Sequence, residues 1–99
     1  MIRQDPENHE IQALFDLADF YGRVVLEIGC GDGRLTRRYA NKVNHVIAID
    51  SFKESITNAR KYLPDSLKGS VEFRHISLED FAAASDPSAI DIAILSWSL

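Results

Sequence analysis

A glycine-rich segment that begins with an acidic residue is the part of this sequence best suited to hold a ligand. Residues 27–33 read EIGCGDG, so Gly29, Gly31 and Gly33 alternate after Glu27. Glycine has no Cβ, so such a turn can be tight and lets a ligand lie against bare backbone. A helix after the turn would offer free amide groups and a partial positive charge to a carboxylate or phosphate. The segment therefore predicts a ligand-binding turn.

Two further segments carry groups that recognise a nucleoside. Asp50 comes about 20 residues after the first glycine of the turn, the spacing at which a carboxylate accepts hydrogen bonds from a ribose diol. Residues 77–80, Ser-Leu-Glu-Asp, offer side-chain oxygens and backbone amides that can flank an adenine ring. The three segments together predict a ligand that contains adenosine.

Alternating strand and helix patterns are expected to position these groups. Apolar runs predict four strands, at residues 24–28, 46–49 (ending at Asp50), 71–76 and 90–95. Helical periodicity predicts helices at residues 11–18, 34–41, 52–63 and 78–84. Nearly continuous apolar strands that alternate with helices indicate a parallel sheet covered on both faces. Ligands of such sheets bind beyond the carboxyl ends of the strands, where all three segments lie.

The third predicted helix has a start signal of its own. Ser51 and Glu54 have the S-x-x-E spacing of a capping box, in which the serine hydroxyl caps the helix and the glutamate reaches back. The sequence therefore predicts that Ser51 is the N-cap of this helix.

The glycine spacing separates the candidate cofactors. The dinucleotide fingerprint G-x-G-x-x-G requires glycine at position 34, where this chain has Arg34. An arginine at the point of close helix–strand packing disfavours a nicotinamide-dependent oxidoreductase. A Walker-type phosphate loop is excluded because the sequence contains no G-K-[ST].

The third glycine comes one place earlier than in the dinucleotide fingerprint. The segment 25–33, VLEIGCGDG, therefore resembles motif I of the class I S-adenosylmethionine-dependent methyltransferases, which has the pattern (D/E)-x-G-x-G-x-G. The resemblance covers about residues 11 to 99. It implies a Rossmann-like α/β fold, with parallel strands in the order 3-2-1-4 and helices on both faces. It also implies that residues 1–99 are the cofactor-binding N-terminal part of a methyltransferase domain, truncated after the fourth strand, with the later strands absent.

The resemblance assigns roles at the site. Glu27 is expected near the methionine amino group, directly or through water, and Asp50 at the ribose hydroxyls. The remaining cofactor contacts are expected at Gly29, Gly31, Ser77, Leu78 and Ser96. The glycines would let the cofactor pass, Ser77 and Leu78 would receive adenine, and Ser96 would lie near the sulfonium and the incoming substrate.

The sequence departs from the family pattern at the adenine end and after the fourth strand. Ser51 stands where a bulky apolar residue usually packs on adenine, and Ser77 where an aspartate is common. Residues 96–99, Ser-Trp-Ser-Leu, differ from the (N/D)-P-P-(Y/F) of enzymes that methylate nucleobase amines. This difference disfavours a nucleobase amine as acceptor.

Methyl transfer from a sulfonium depends largely on positioning, and a base is needed only where the acceptor must lose a proton. The sequence therefore identifies no catalytic residue. Cys30 is interpreted as a small filler of the turn, since no histidine has a suggestive spacing. The three histidines are scattered, so no metal site is predicted.

The composition of the chain favours some binding partners over others and predicts a cellular location. The 99 residues carry a net charge of -4, which gives no basic footprint for nucleic acid, and a small-molecule acceptor is favoured over protein or RNA. A single cysteine, no signal peptide and no span of about 20 apolar residues predict a cytoplasmic, non-membrane protein. The sequence does not indicate the oligomeric state. The alternatives are a cofactor-binding fragment without catalytic activity and, less favoured, a nicotinamide-dependent oxidoreductase.

Overall fold

The computed structural model describes residues 22–96. The helix predicted at residues 11–18 and residues 97–99 lie outside this range. The four strands are β1 (Val24–Ile28), β2 (His45–Asp50), β3 (Val71–His75) and β4 (Ile92–Leu95). The helices are α1 (Arg34–Tyr39), α2 (Lys53–Tyr62) and α3 (Leu78–Ala84). Short 3-10 turns span Ala40–Lys42, Asp65–Leu67 and Pro87–Ala89.

The strands form one parallel sheet in the order β3-β2-β1-β4. Val25 of β1 is in register with Val46 of β2 on one side and with Ile92 of β4 on the other. A helix between consecutive strands returns the chain to the same edge, as a parallel pairing requires. The predicted order 3-2-1-4 is confirmed.

Apolar side chains cover both faces of the sheet, as predicted. Alternation along β1 sends Val25 to one face and Leu26 to the other. The larger cluster joins the sheet to α1 and α2 through Tyr39 and Ile56. The smaller cluster joins it to α3 through Phe81. The sheet therefore has helices on both faces and carries the site at its carboxyl edge.

The ends of three strands differ from the prediction, and β2 begins one residue early, at His45. β4 begins at Ile92 rather than Ile90, and Asp91, at a bend just before it, contacts the start of β1. Its backbone N–H donates to the Val24 carbonyl at 2.9 Å, and its carboxylate accepts from the Val24 N–H at 2.8 Å. β3 ends at His75, and Ile76 packs into the smaller cluster instead of extending the strand.

The predicted helix cap at Ser51 is wrong. α2 begins at Lys53 with Phe52 at the N-cap, and no side chain among the described residues caps it. The Phe52 N–H instead donates to Asp50 Oδ1 at 2.9 Å. The N-cap is therefore Phe52, one residue later than the S-x-x-E pattern predicts. A side-chain cap is present on α3, where Ser77 Oγ accepts from the Asp80 N–H at 3.1 Å.

Candidate cofactor-binding site

The glycine turn joins the end of β1 to α1 and is fixed to the end of β2. The N–H groups of Gly29 and Cys30 both donate to the Ile49 carbonyl, at 2.9 and 3.1 Å. Gly29 and Gly31 have φ values of +76° and +57°, a left-handed conformation that favours glycine. A Cβ at Gly31 would meet nothing within 4 Å, so the backbone there faces open space. The turn therefore presents bare backbone at the edge of the sheet.

Asp50 connects this turn to the start of α2. Its Oδ2 accepts from the Gly31 N–H and its Oδ1 from the Phe52 N–H, each at 2.9 Å. The side chain is nearly buried, so its direction is fixed. A carboxylate has about four lone-pair sites, and two remain for further donors. Asp50 can therefore shape the turn and still accept hydrogen bonds from a ligand.

A groove of about 240 Å³ lies beside Asp50. It is lined by Ile28, Gly29, Ile49, Asp50, Ser51, Ile76, Ser77, Leu78 and Glu79. Four of the seven predicted cofactor residues, Gly29, Asp50, Ser77 and Leu78, therefore come together around one apolar depression. Ser77 Oγ is occupied as an acceptor in the α3 cap, which leaves its hydroxyl proton to donate.

Glu27 has a buried environment that the sequence did not predict. Its side chain is fully buried, and its Oε1 accepts from the hydroxyls of Thr36 and Tyr39, both at 2.7 Å. Its Oε2 accepts from the Ser96 hydroxyl. Burial raises the pKa of Glu27, and the three hydrogen bonds partly oppose that rise. The carboxylate thus ties β1 to α1 and to the end of β4.

Ser96 lies next to the glycine turn, at the end of β4. Its backbone N–H donates to the Ile28 carbonyl at 2.9 Å. Its hydroxyl oxygen, besides donating to Glu27, lies 3.5 Å from the Gly29 carbonyl oxygen. The predicted site residues Glu27, Gly29 and Ser96 therefore form a second group, which meets the groove beside Asp50 at Gly29.

The third glycine explains how the fold accommodates Arg34. Gly33 has a φ of +84°, and a Cβ there would lie 2.9 Å from Cζ of Phe73. The close approach of turn and sheet thus falls on Gly33, and Arg34 is exposed on α1. The Arg34 N–H donates to Asp32 Oδ1 at 3.2 Å, so this amide at the helix start already has a partner, contrary to the expected free N-terminus.

Thr36 and Tyr39 are the site residues that the sequence analysis missed. Both are fully buried on α1 and lie one helical turn apart, on the side that meets Glu27. A signal for them existed: an acidic residue inside an apolar strand needs buried donors. Hydroxyl residues at an i, i+3 spacing on the next helix could have been considered for that role.

Cys30 occupies the turn as a buried side chain, and burial raises the pKa of its thiol. A raised pKa reduces the thiolate fraction, so this cysteine is poorly suited to act as a nucleophile. Within residues 22–96, no three His, Cys, Asp or Glu side chains are grouped so as to hold a metal ion. Nor does any helix in that range have the length and apolar character needed to cross a membrane.

Several named methyltransferases are similar to this chain in sequence. The chain is 39% identical over 66 residues to the ubiquinone biosynthesis O-methyltransferase of Aromatoleum aromaticum, which covers 67% of this chain and 28% of that enzyme. It is 28% identical over 93 residues to phosphoethanolamine N-methyltransferase 1 of Triticum aestivum, covering 94% of this chain and 18% of that one. The chain thus spans less than a third of the length of either relative.

A solved structure shares the fold. An RNA methyltransferase from Salinibacter ruber in complex with S-adenosyl-L-homocysteine matches with a TM-score of 0.74 and 25% identity, over 94% of this chain and 60% of that one. The family described as a methyltransferase domain matches residues 25–99, from the second residue of β1 onwards. The chain therefore belongs to the S-adenosylmethionine-dependent methyltransferase family.

Proposed function

We propose that this chain forms the S-adenosylmethionine-binding part of a methyltransferase that transfers a methyl group to a small-molecule acceptor. The observation that carries the proposal is the position of Asp50, whose carboxylate holds the Gly31 N–H at one end of a groove of about 240 Å³. A carboxylate fits a ribose, bare glycine backbone fits a flexible chain, and an apolar depression fits a purine.

The groove supports a binding mode for the adenosine half of the cofactor. Asp50 accepts hydrogen bonds from the ribose hydroxyls with its two remaining lone-pair sites. Adenine lies between Ile49 and Leu78, both of which line the groove. The Ser77 hydroxyl has a proton to donate to a ring nitrogen. This contact differs from that of the aspartate common at this position, which would accept from the adenine amino group.

The second group of residues supports binding of the methionine half. Gly29 and Gly31 let this half pass over the turn, and Gly31 has open space where a Cβ would project. Ser96 at the end of β4 lies where the methionine half leaves the turn, next to the Gly29 carbonyl oxygen. Glu27 is buried behind the Ser96 hydroxyl, which donates to its Oε2 in the chain without cofactor.

The bound sulfonium would supply an activated methyl group, and the residues of this chain would hold it in a fixed direction. Such positioning reduces the entropy that an in-line displacement must lose, which accounts for much of the acceleration in reactions of this kind. The same residues exclude no acceptor class, and no residue of this chain is assigned as a base.

The acceptor is proposed to be a small molecule, and the location cytoplasmic. The net charge of -4 disfavours binding to a phosphate backbone. The relatives named above include one named for phosphoethanolamine, one for ubiquinone biosynthesis and one for RNA. The charge disfavours the third.

Calorimetric titration of the 99-residue chain tests the cofactor assignment. We expect saturable binding of S-adenosylmethionine and none of NADH. Asp50→Ala removes an acceptor for the ribose and for the Gly31 N–H, so affinity should fall by about 10- to 100-fold. Asp65→Ala is the matched control, because Asp65 is an exposed aspartate paired with Lys68 and should leave the affinity unchanged.

Circular dichroism would check that each variant is folded. Because Asp50 also holds Phe52, Asp50→Asn, which keeps one acceptor oxygen, would separate loss of the ligand contact from collapse of the turn. Binding of NADH, or unchanged affinity in folded Asp50→Ala, would contradict the proposal. A folded chain that binds neither ligand would contradict it as well, because these residues would then not form a cofactor site.

A further inference from the structure

The Ser96 hydroxyl lies between two acceptors but has one proton to give. It donates to Glu27 Oε2, and its oxygen is 3.5 Å from the Gly29 carbonyl oxygen, at the outer limit of a hydrogen bond. A hydroxyl can donate to one acceptor at a time. A group with two or three protons at this position would satisfy both oxygens, and an ammonium group has three.

Glu27 is held so that it cannot turn away from this position. Thr36 and Tyr39 both donate to its Oε1 from α1, which leaves Oε2 directed at the end of β4. Among the described residues, the hydrogen bonds to this carboxylate all come from neutral hydroxyls. A buried carboxylate without a charged partner has lost its hydration and gains most from a cation placed next to it.

We propose that the Ser96 hydroxyl is an exchangeable donor, which holds Glu27 Oε2 until the amino group of the cofactor's methionine end takes its place between Glu27 and the Gly29 carbonyl. The proposal rests on the proposed function and adds a specificity role for Ser96 at that site. Rotation about one side-chain torsion moves the hydroxyl aside, so the exchange needs no movement of β4. Thr36 and Tyr39 act as positioning residues, because they hold Glu27 but lie on its other oxygen.

The exchange and a direct contact between Ser96 and the cofactor predict opposite effects of removing the Ser96 hydroxyl. If Ser96 competes with the amino group, Ser96→Ala removes the competitor and should strengthen binding of any ligand that carries this group. If Ser96 instead binds the cofactor, the same change should weaken binding. The sign of the effect therefore distinguishes the two roles.

The experiment is calorimetric titration at pH 8 with S-adenosylhomocysteine and with its analogue in which hydrogen replaces the amino group. We expect Ser96→Ala to raise the affinity for S-adenosylhomocysteine by about 3- to 10-fold and to leave the analogue unchanged. Ser88→Ala is the matched control: Ser88 also donates its hydroxyl to a carboxylate, that of Asp86, but before β4 and away from the turn. It should change neither affinity.

Weaker binding of S-adenosylhomocysteine by Ser96→Ala, or an equal change for both ligands, would overturn the exchange while leaving the proposed function intact. Failure of the folded parent chain to bind either ligand would overturn both proposals. The carboxyl ¹³C shift of Glu27, titrated without ligand, gives a separate check. Loss of the Ser96 hydrogen bond should raise the pKa of Glu27 further, and an unchanged pKa would show that this hydrogen bond is not made.

Discussion

At the residue scale, Glu27 is an ionisable group that folding removes from water. Burial raises its pKa above the ordinary value of 4.5, whereas hydrogen bonds from Ser96, Tyr39 and Thr36 lower it. The net rise means that the folded state holds the Glu27 proton more tightly than the unfolded state does. Stability from this group is therefore present below pH 4.5 and is lost as the pH rises through the raised pKa.

Glu27→Gln should remove this dependence, because the amide does not ionise. Relative to the parent chain, the free energy of unfolding of the variant should increase as the pH rises from 4.5 to 8, by about 1.4 kcal/mol for each unit by which the pKa is raised. Urea denaturation at several pH values measures it. A difference between the two proteins that does not vary with pH would contradict the assignment.

Glu72→Gln is the control with the opposite sign. The hydrogen bond from Arg74 lowers the pKa of Glu72, which is a half-exposed residue on β3. Stability from Glu72 is therefore present above its ordinary pKa and lost as the pH falls. Its variant should show no gain in relative stability between pH 5 and 8.

The sequence predicted which residues lie at the strand ends better than it predicted the contacts of those residues. Asp50 and the glycines could be predicted because their positions follow from a local spacing at strand ends. The environment of Glu27 could not, because Thr36 and Tyr39 reach it only once α1 has packed on the sheet. The roles at the cofactor remain predictions for all seven site residues: Glu27, Gly29, Gly31, Asp50, Ser77, Leu78 and Ser96.

At the element scale, the placement of strands and helices followed from periodicity and the strand order from the family resemblance, whereas the start of α2 did not. α3 was predicted at residues 78–84 and spans those residues, and its cap is Ser77. α2 carries the stronger sequence signal, Ser51 with Glu54, yet has no side-chain cap among the described residues. The difference arises because Asp50 binds the Phe52 N–H, a contact set by the site and not by the helix.

Two serine substitutions test this assignment of caps. Ser77→Ala should lower the free energy of unfolding by about 1 kcal/mol, because the Asp80 N–H loses its acceptor. Ser51→Ala should change it by less than about 0.5 kcal/mol, as expected for an exposed residue without such a bond. Urea denaturation of both variants measures the comparison. A larger loss in Ser51→Ala would restore the capping box at α2.

At the scale of the whole molecule, the two faces of the sheet are covered unequally. The larger cluster holds most of the buried side chains, whereas the smaller one has three, Leu26, Ile49 and Phe81. Leu95 at the end of β4 is 63% exposed, and β4 pairs with β1 alone among the described strands. An apolar side chain on a strand of this kind favours association between copies.

Leu95→Lys should therefore raise the solubility of the 99-residue chain and reduce its self-association in sedimentation velocity. Charged residues, lysine above all, are how natural edge strands avoid such contacts. Ser66→Lys adds the same charge at an exposed position after α2, and so separates the effect of position from that of net charge. Equal gains from both variants would show that net charge alone is responsible.

The hydroxyl cluster around Glu27 also has an evolutionary consequence. Removing one partner of a buried hydrogen bond leaves the other unsatisfied, whereas replacing all of them with apolar groups can be nearly neutral. A lineage that exchanged Glu27 for an apolar residue would thus remove the acceptor that the hydroxyls of Thr36, Tyr39 and Ser96 share. These four positions are expected to be inherited as a set and to change together, so that intermediates carrying half of the set should be rare among descendants.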